Sequence, residues 1–470
     1  MRAVRLFALS ALLGGASAAQ AAPQLLDGAT IIDGRGGVIE DGVIVVEEGR
    51  IACVGARGAC DGAGAEVVDV AGRFVTPGLI DGHVHFDQTG WIDGRPDGMA
   101  FPETYPEEET QAALRANPAR WHQAYLCSGI TAAYDVGGRP WTVSETEGRE
   151  PLRADRVHLR SAGPLITHAD VGEQSAEQPI FLAMDDEATV RAGVARLKSI
   201  GADAVKVWFL GPQPDRAEEL RELLMVAGEA AREAGLPLIV HATDLEDAKA
   251  ALRAGATMLV HSVDDTPVDA EFLDLLTRQG SFYAPTMVVA RNWGRTIETI
   301  AFGEAAEVDD PNRCVDEALL ARIAEVETLR AERGEDRLPK AKRLAERAYA
   351  HGYARAMMEA NLRAVQAAGG RIVLSTDAGN PLTVHGPSIL WEMEAMEAAG
   401  LAPIAIIEAG TRVAAEAMRM EAEIGTLEPG KVADLLVLSE DPREGVRAFR
   451  SLTHVMRAGV LKTQEEYQVR

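Results

Sequence analysis

Between Leu79 and Thr376 the chain alternates short apolar runs with longer stretches in which apolar residues recur every three or four positions. The runs at 79–86, 130–136, 157–165, 202–209, 236–242, 257–262, 281–288 and 371–376 have strand length and composition. The stretches between them, such as "DDEATVRAGVARLKSIG" and "RAEELRELLMVAGEAAREAG", have helical spacing and end in glycine, a frequent helix stop. Eight strands separated by helices predict an α/β fold, a (β/α)8 TIM-type barrel over residues 77–420. At the two ends the texture changes to short β-type runs broken by glycine turns, "LLDGATIIDG", "GVIVVEEGRIACVG" and "AEVVDVAGRFV" first, "KVADLLVLSEDP" and "AFRSLTHVMRAGVLK" last. These predict one small β-sandwich built from residues 22–76 and 421–470.

One connection is long for a barrel. After the seventh strand, residues 290–340 carry Leu319, Ile323, Val326 and Leu329 at helical spacing. An insert there emerges on the C-terminal face, where barrel enzymes bind substrate. It reads equally as a lid, as a specificity element, or as a charged helical hairpin that serves an oligomer contact or no particular purpose.

The first residues stand apart from this pattern. Arg2 and Arg5, the apolar run Leu6–Leu13 and the small residues ending in "AQA" form the three parts of a secretory leader over residues 1–21, with cleavage after Ala21. The run falls short of the roughly 20 apolar residues of a membrane span. The expectation is a secreted or periplasmic protein with no membrane attachment after cleavage. A net charge of −25 disfavours nucleic acid and anionic membranes as partners, because phosphate binding rests on clustered Lys and Arg. A small-molecule substrate is the expected partner, and a homo-oligomer is compatible with the sequence. After export, four cysteines would meet an oxidising compartment. Cys53 and Cys60 either close a short loop or stay as buried thiols, since spacing does not fix the geometry of a bond.

The chemistry lies at the strand ends. In "GLIDGHVHF", His83 and His85 point the same way while Val84 points the other. Alone, that pair is as readily structural as metal-binding. The runs "LPLIVHATD" and "ATMLVHSVDD" end in His241 and His261, and "GGRIVLSTDAG" ends in Asp377. In a closed barrel these five side chains meet at one mouth, and imidazoles with a carboxylate are what zinc binds. Lys206, in "GADAVKVWF", is costly to bury as a cation. Outward exposure is its bland reading. Next to the histidines a second one opens: a neutral amine reacts with carbon dioxide to give a carbamate, an anion able to bridge two metal ions.

The ordered set "PGLIDGHVHF", "GADAVKVWF", "LIVHA", "LVHS", "LSTDAGN" and "GTLEPGKVADLLVLSEDP" resembles the amidohydrolase superfamily from about Leu25 to Lys462. More narrowly it is similar to the secreted imidazolonepropionase-like and Xaa-Pro or Xaa-Lys/Arg dipeptidase-like branch. The resemblance implies two divalent ions, zinc in most members. His83, His85 and Asp377 would hold the first, His241 and His261 the second, with carboxylated Lys206 between them. It also implies hydrolysis of a C–N amide bond by a hydroxide held between the metals, with Asp377 moving its proton to the leaving amine. A dipeptidase or an N-acyl amino acid hydrolase is the expected activity. A cyclic amidase and a mononuclear-metal deaminase are the alternatives. Such deaminases lack the lysine of the fourth strand and carry a glutamate three residues after the histidine of the fifth, where this chain has Asp244, with Glu246 further on. A non-catalytic small-molecule binding protein would show losses among the six positions, and none is missing.

Around the metals, Trp208 either walls the pocket or packs in the barrel. His168 and His385 either touch substrate or sit in solvated loops, and Trp91 and Tyr105 could line the way in. His122, His158, His351 and His454 are read as structural.

Overall fold

The computed structural model describes residues 22–93, 101–145, 151–172, 174–211, 215–333 and 341–468, with the side chains of 333 and 341–351 left aside. The expected leader and the side chain of His351 lie outside the described residues. Five strands come first: β1 (Gln24–Ile32), β2 (Val38–Glu47), β3 (Arg50–Ala56), β4 (Glu66–Asp69) and β5 (Phe74–Pro77). The middle holds β6 (Leu79–Val84), β7 (Ile130–Asp135), β8 (His158–Ser161), β9 (Leu165–Thr167) and β10 (Phe181–Ala183). It continues with β11 (Val205–Trp208), β12 (Leu238–His241), β13 (Met258–Val260), β14 (Phe282–Ala284) and β15 (Arg371–Ile372). Last come β16 (Leu435–Leu438), β17 (Leu452–Arg457) and β18 (Val460–Thr463).

Both chain ends share one eight-stranded mixed sheet, ordered β18-β17-β16-β5-β1-β2-β3 with β4 also on β1. The junction is the antiparallel pair β16 and β5, which sets Leu436 opposite Thr76 and Val437 opposite Val75. Leu26, Ile31, Ile44, Val75, Leu435, Val437 and Met456 form one buried cluster on this sheet, so residues from both ends depend on each other for burial. Hydrogen bonding joins these strands in one sheet and does not divide them into the two facing layers of a sandwich.

Each of the eight expected barrel strands holds a strand, shorter than the apolar run that predicted it. The run 157–165 splits into β8 and β9, with Gly163 at φ +64° between them. Strand β10, three residues long, had no run of its own to mark it. Among the described residues the parallel ladders form a seven-stranded sheet, β10-β9-β11-β12-β13-β14-β15, and a three-stranded sheet, β6-β7-β8, instead of a closed ring. Single bonds cross the two seams. Asp203 N–H donates to the Ser161 carbonyl at 2.8 Å on one side. On the other, Gly82 N–H reaches the Leu374 carbonyl at 2.9 Å, Asp377 N–H the His83 carbonyl at 2.8 Å, and His85 N–H the Ala378 carbonyl at 2.7 Å. The ladder breaks here because the chain beyond β15 leaves extended geometry, with Asp377 at φ +63°.

The 290–340 insert forms the helices Val289–Phe302, Glu317–Ala324 and Val326–Arg333, and its residues 334–340 lie outside the described ones. Leu319, Ile323, Val326 and Leu329 bury their stripe against Trp91, Phe101, Tyr105, Leu382 and Val384. Trp91 and Tyr105 are therefore core residues beneath the insert, and neither lines the cavity. An apolar stripe on the insert needs a partner, and the segment after β6 supplies it. Cys53 and Cys60 are bonded, as are Cys127 and Cys314, which join the helix Ala119–Cys127 to the insert. No described helix is long and apolar enough to cross a membrane.

A buried polar network ties the terminal sheet to the barrel. Asp434 accepts from His158 Nε2 at 2.8 Å, from Arg457 Nη1 at 3.1 Å and from Ala458 N–H at 2.8 Å. Burial acts to raise the Asp434 carboxyl, and the charges of Arg457 and His158 outweigh it, so it lies below its ordinary value. Burial lowers His158, with Asp434 opposing. Asp434→Ala strands the Arg457 guanidinium in the interior, and we expect a loss of about 3–5 kcal/mol in unfolding free energy. Both depressed groups act in the same direction: the unfolded chain takes their protons first, so the stability they give is present at neutral pH and lost on acidification. The His158 part is lost as pH falls below 6.5 and the Asp434 part only as it falls below 3.8, so denaturant titrations carried down to about pH 2 check this, with the limb below 3.8 expected to be shallower in the variant.

Candidate metal centre

The expected donors occupy one cavity. It encloses about 340 Å³ and is lined by His83, His85, Lys206, His241, His261 and Asp377, together with Gln88, Trp208, Asp264, Thr286, Trp293 and Asn380. Strand β6 delivers the first two, β11 and β12 deliver Lys206 and His241, and the turns after β13 and β15 deliver His261 and Asp377. Three cavity residues other than glycine have left-handed backbones: His261 at φ +73°, Thr286 at +45° and Asp377 at +63°. Such conformations are uncommon, rarer still for β-branched threonine, and cluster at functional sites.

The donor atoms converge. His83 Nε2 is 3.2 Å from His85 Nε2 and 3.3 Å from Asp377 Oδ1, and His85 Nε2 is 2.9 Å from the same oxygen. The His241 and His261 rings meet at 4.3 Å, and His261 Nδ1 lies 4.0 Å from Asp377 Oδ2. Lys206 is 1% exposed, and among the described residues no carboxylate lies within ion-pair distance of it.

Protonation fits the same picture. His85 Nδ1 sits 2.5 Å from the Gly137 carbonyl. A carbonyl only accepts, so the proton is on Nδ1 and the Nε2 lone pair faces Asp377 and His83. His261 Nδ1 is held at 2.7 Å by the Thr286 hydroxyl. Burial drives His83 and His241 well below the ordinary imidazole range and His261 down to about 4. It also brings Lys206 down to about 7. Burial would raise Asp377, but the imidazoles of His83, His85 and His261 outweigh it and hold the carboxylate ionised. Buried neutral imidazoles, a carboxylate and an amine with no counterion, pressed edge to edge, are a set that a cation relieves. His83 Nδ1 and Asp377 Oδ1 have no hydrogen-bond partner of ordinary geometry. The donor set suits zinc or a similar divalent ion.

The amidohydrolase family pattern matches residues 74–462, which spans every donor above. The chain belongs to the amidohydrolase family. Imidazolonepropionase from Rhizorhabdus wittichii is 28% identical over 85% of this amidohydrolase and 88% of its own length. Imidazolonepropionase from a Methylobacterium species is 30% identical over 257 residues, half of this chain, so the match spans only 62% of that relative. Among solved structures, a Xaa-Pro dipeptidase with bound methionine superposes with a TM-score of 0.67 at 22% identity, covering 94% of this chain and 100% of that one. At that identity the likeness speaks for the fold, a TIM-type barrel.

Of the residues expected to touch substrate, one lines the amidohydrolase's cavity. Trp208 does so while stacked on Phe181 at 5.1 Å. His168 is turned to the Leu210 carbonyl at 2.9 Å and is absent from the cavity wall. His385 is neither a solvated loop residue nor a substrate contact: it is buried, stacked 4.1 Å from Trp121, with Nδ1 on the Tyr125 hydroxyl and Nε2 on the Gln88 carbonyl. Aromatic packing on both sides leaves it no path to the cavity. Gln88, Thr286, Trp293, Asn380 and Asp264 escaped the sequence reading. Gln88 and Thr286 stand just beyond strands β6 and β14, where position alone could have marked them, whereas Trp293 comes from the insert.

Proposed function

We propose that this amidohydrolase is a metal-dependent hydrolase of C–N amide bonds whose substrates are dipeptides or N-acyl amino acids. The convergence of all six donors on one cavity carries this reading. His83, His85 and Asp377 would hold one divalent ion and His241 and His261 a second. Lys206, as a carbamate formed from its neutral amine and CO2 with release of a proton, would hold both. Two such ions supply Lewis acidity to a substrate carbonyl and make water nucleophilic at neutral pH. Asp377 accepts the proton of the attacking water and delivers it to the leaving nitrogen. Trp208 and Trp293 give the cavity apolar walls, and about 340 Å³ is the size of a small-molecule site. A deaminase would want a carboxylic acid at Asp244, but that residue stands at the N-terminus of the helix Leu245–Arg253 and outside the cavity wall. We place the protein in a secreted or periplasmic compartment, a reading the two disulfides support.

Metal analysis with a substrate panel tests the proposal. We expect two equivalents of zinc per chain, loss of turnover on chelation, and recovery that needs both zinc and bicarbonate. One equivalent with ammonia release from an aminopurine would support the deaminase instead, and retained ligands without turnover would support a binding protein.

A further inference from the structure

Gln88, like Thr243 and Asp264, is a polar group of the cavity wall that has no place in this scheme. Gln88 lies three residues after His85, is 5% exposed and lines the cavity beside the six donors. Among the described residues its side-chain amide makes no hydrogen bond, although a primary amide offers two donors and a two-lone-pair acceptor. The amide is not sealed in the interior but open to the cavity, where an incoming group can meet it.

Its stem is fixed from three sides. Gln88 N–H donates to the His85 carbonyl at 3.2 Å, and its own carbonyl accepts from His385 Nε2 at 2.9 Å. Gly379 packs so closely that a Cβ there would come within 2.8 Å of Gln88 Cβ. Three polar side chains of the same wall already have partners. Thr286 is engaged with His261, Asn380 with Trp293 and the Asp377 carbonyl, and Ser262 with the Pro285 carbonyl. Gln88 alone among these keeps its full hydrogen-bonding capacity directed at the cavity. Its amide is uncharged and serves a donor or an acceptor equally well, which suits an amino or hydroxyl group.

We infer that Gln88 is a specificity residue whose amide hydrogen-bonds a polar group beside the scissile C–N bond, selecting substrates that carry an amino or hydroxyl group there over their alkyl isosteres. The inference rests on the site being an amide hydrolase. His385, which touches no substrate, is then a positioning residue that holds the Gln88 backbone in place.

Two matched pairs read this out. Glycolyl-L-leucine and propionyl-L-leucine differ by hydroxyl against methyl on the acyl side, and propionyl-L-serine and propionyl-L-2-aminobutyrate differ in the same way on the amine side. We expect the zinc-loaded protein to favour the hydroxyl member of at least one pair by about tenfold or more in kcat/KM, and Gln88→Leu to bring that ratio near one. A uniform fall in both members, or a ratio that Gln88→Leu leaves in place, overturns the assignment. If the wild-type protein hydrolyses none of the four, the N-acyl amino acid half of the hydrolase reading fails. The same pairs are then compared by calorimetric binding, where a hydroxyl preference abolished by Gln88→Leu supports Gln88 and its absence, or no binding at all, overturns it. A thermal melt and zinc content equal to wild type show that the variant is folded and loaded.

Discussion

If the proposed reading holds, Lys206→Ala is expected to lower amide turnover by roughly 10²- to 10⁴-fold, the range that several kcal/mol of lost metal-assisted stabilisation represents. The side chain is 1% exposed on the cavity wall, without a counterion, so alanine removes a donor and relieves no compensating ion pair. Under the proposed two-metal reading, metal content is expected to fall with activity, because the link from His83, His85 and Asp377 to His241 and His261 would be lost. Kinetics beside elemental analysis check the expectation. Partial recovery by added acetate, a carboxylate able to occupy the space of the carbamate, would separate a missing bridge from a misfolded barrel. Full turnover with full metal occupancy would show that the amine is a spectator.

Asp377→Asn keeps the shape and loses both the charge and the proton-accepting oxygen, and we expect kcat to fall by about 10²- to 10⁴-fold. The drop is expected mainly in kcat, because the proposed substrate-facing side chains Gln88 and Trp208 are unchanged. Steady-state kinetics on the zinc-loaded variant check this, and a change confined to KM would move Asp377 from proton transfer to binding. The left-handed backbone at 377, φ +63°, suits asparagine as well as aspartate, so the substitution brings no conformational penalty of its own.

Strand-end position told most of what the sequence could tell. His83, His85, His241, His261 and Asp377 stand where apolar runs stop, and parallel strands that begin on one side of a sheet bring such ends together; Lys206 stood out instead as a cation inside an apolar run. Residues that act through hydrogen bonds between distant segments could not be read that way. His385 looked like a loop histidine because nothing in "PLTVHGPS" announces Trp121 above it or Tyr125 beside it. Trp91 and Tyr105 lie in a polar, glycine- and proline-rich stretch, and their burial depends on the insert that covers them. The pairing of Cys127 with Cys314 likewise depends on an approach of segments 187 residues apart. The seams on either side of the three-stranded sheet follow from backbone turns that no hydrophobic period records.

The shared terminal sheet sets an order on how the chain comes into being. Strand β5 finds β1 early but must wait for β16, more than 350 residues later, to cover its other edge. While the chain folds, that edge stays uncovered, a template for pairing with a neighbour, until β16 docks on it. Truncating β16–β18 should therefore harm yield and solubility out of proportion to the residues removed.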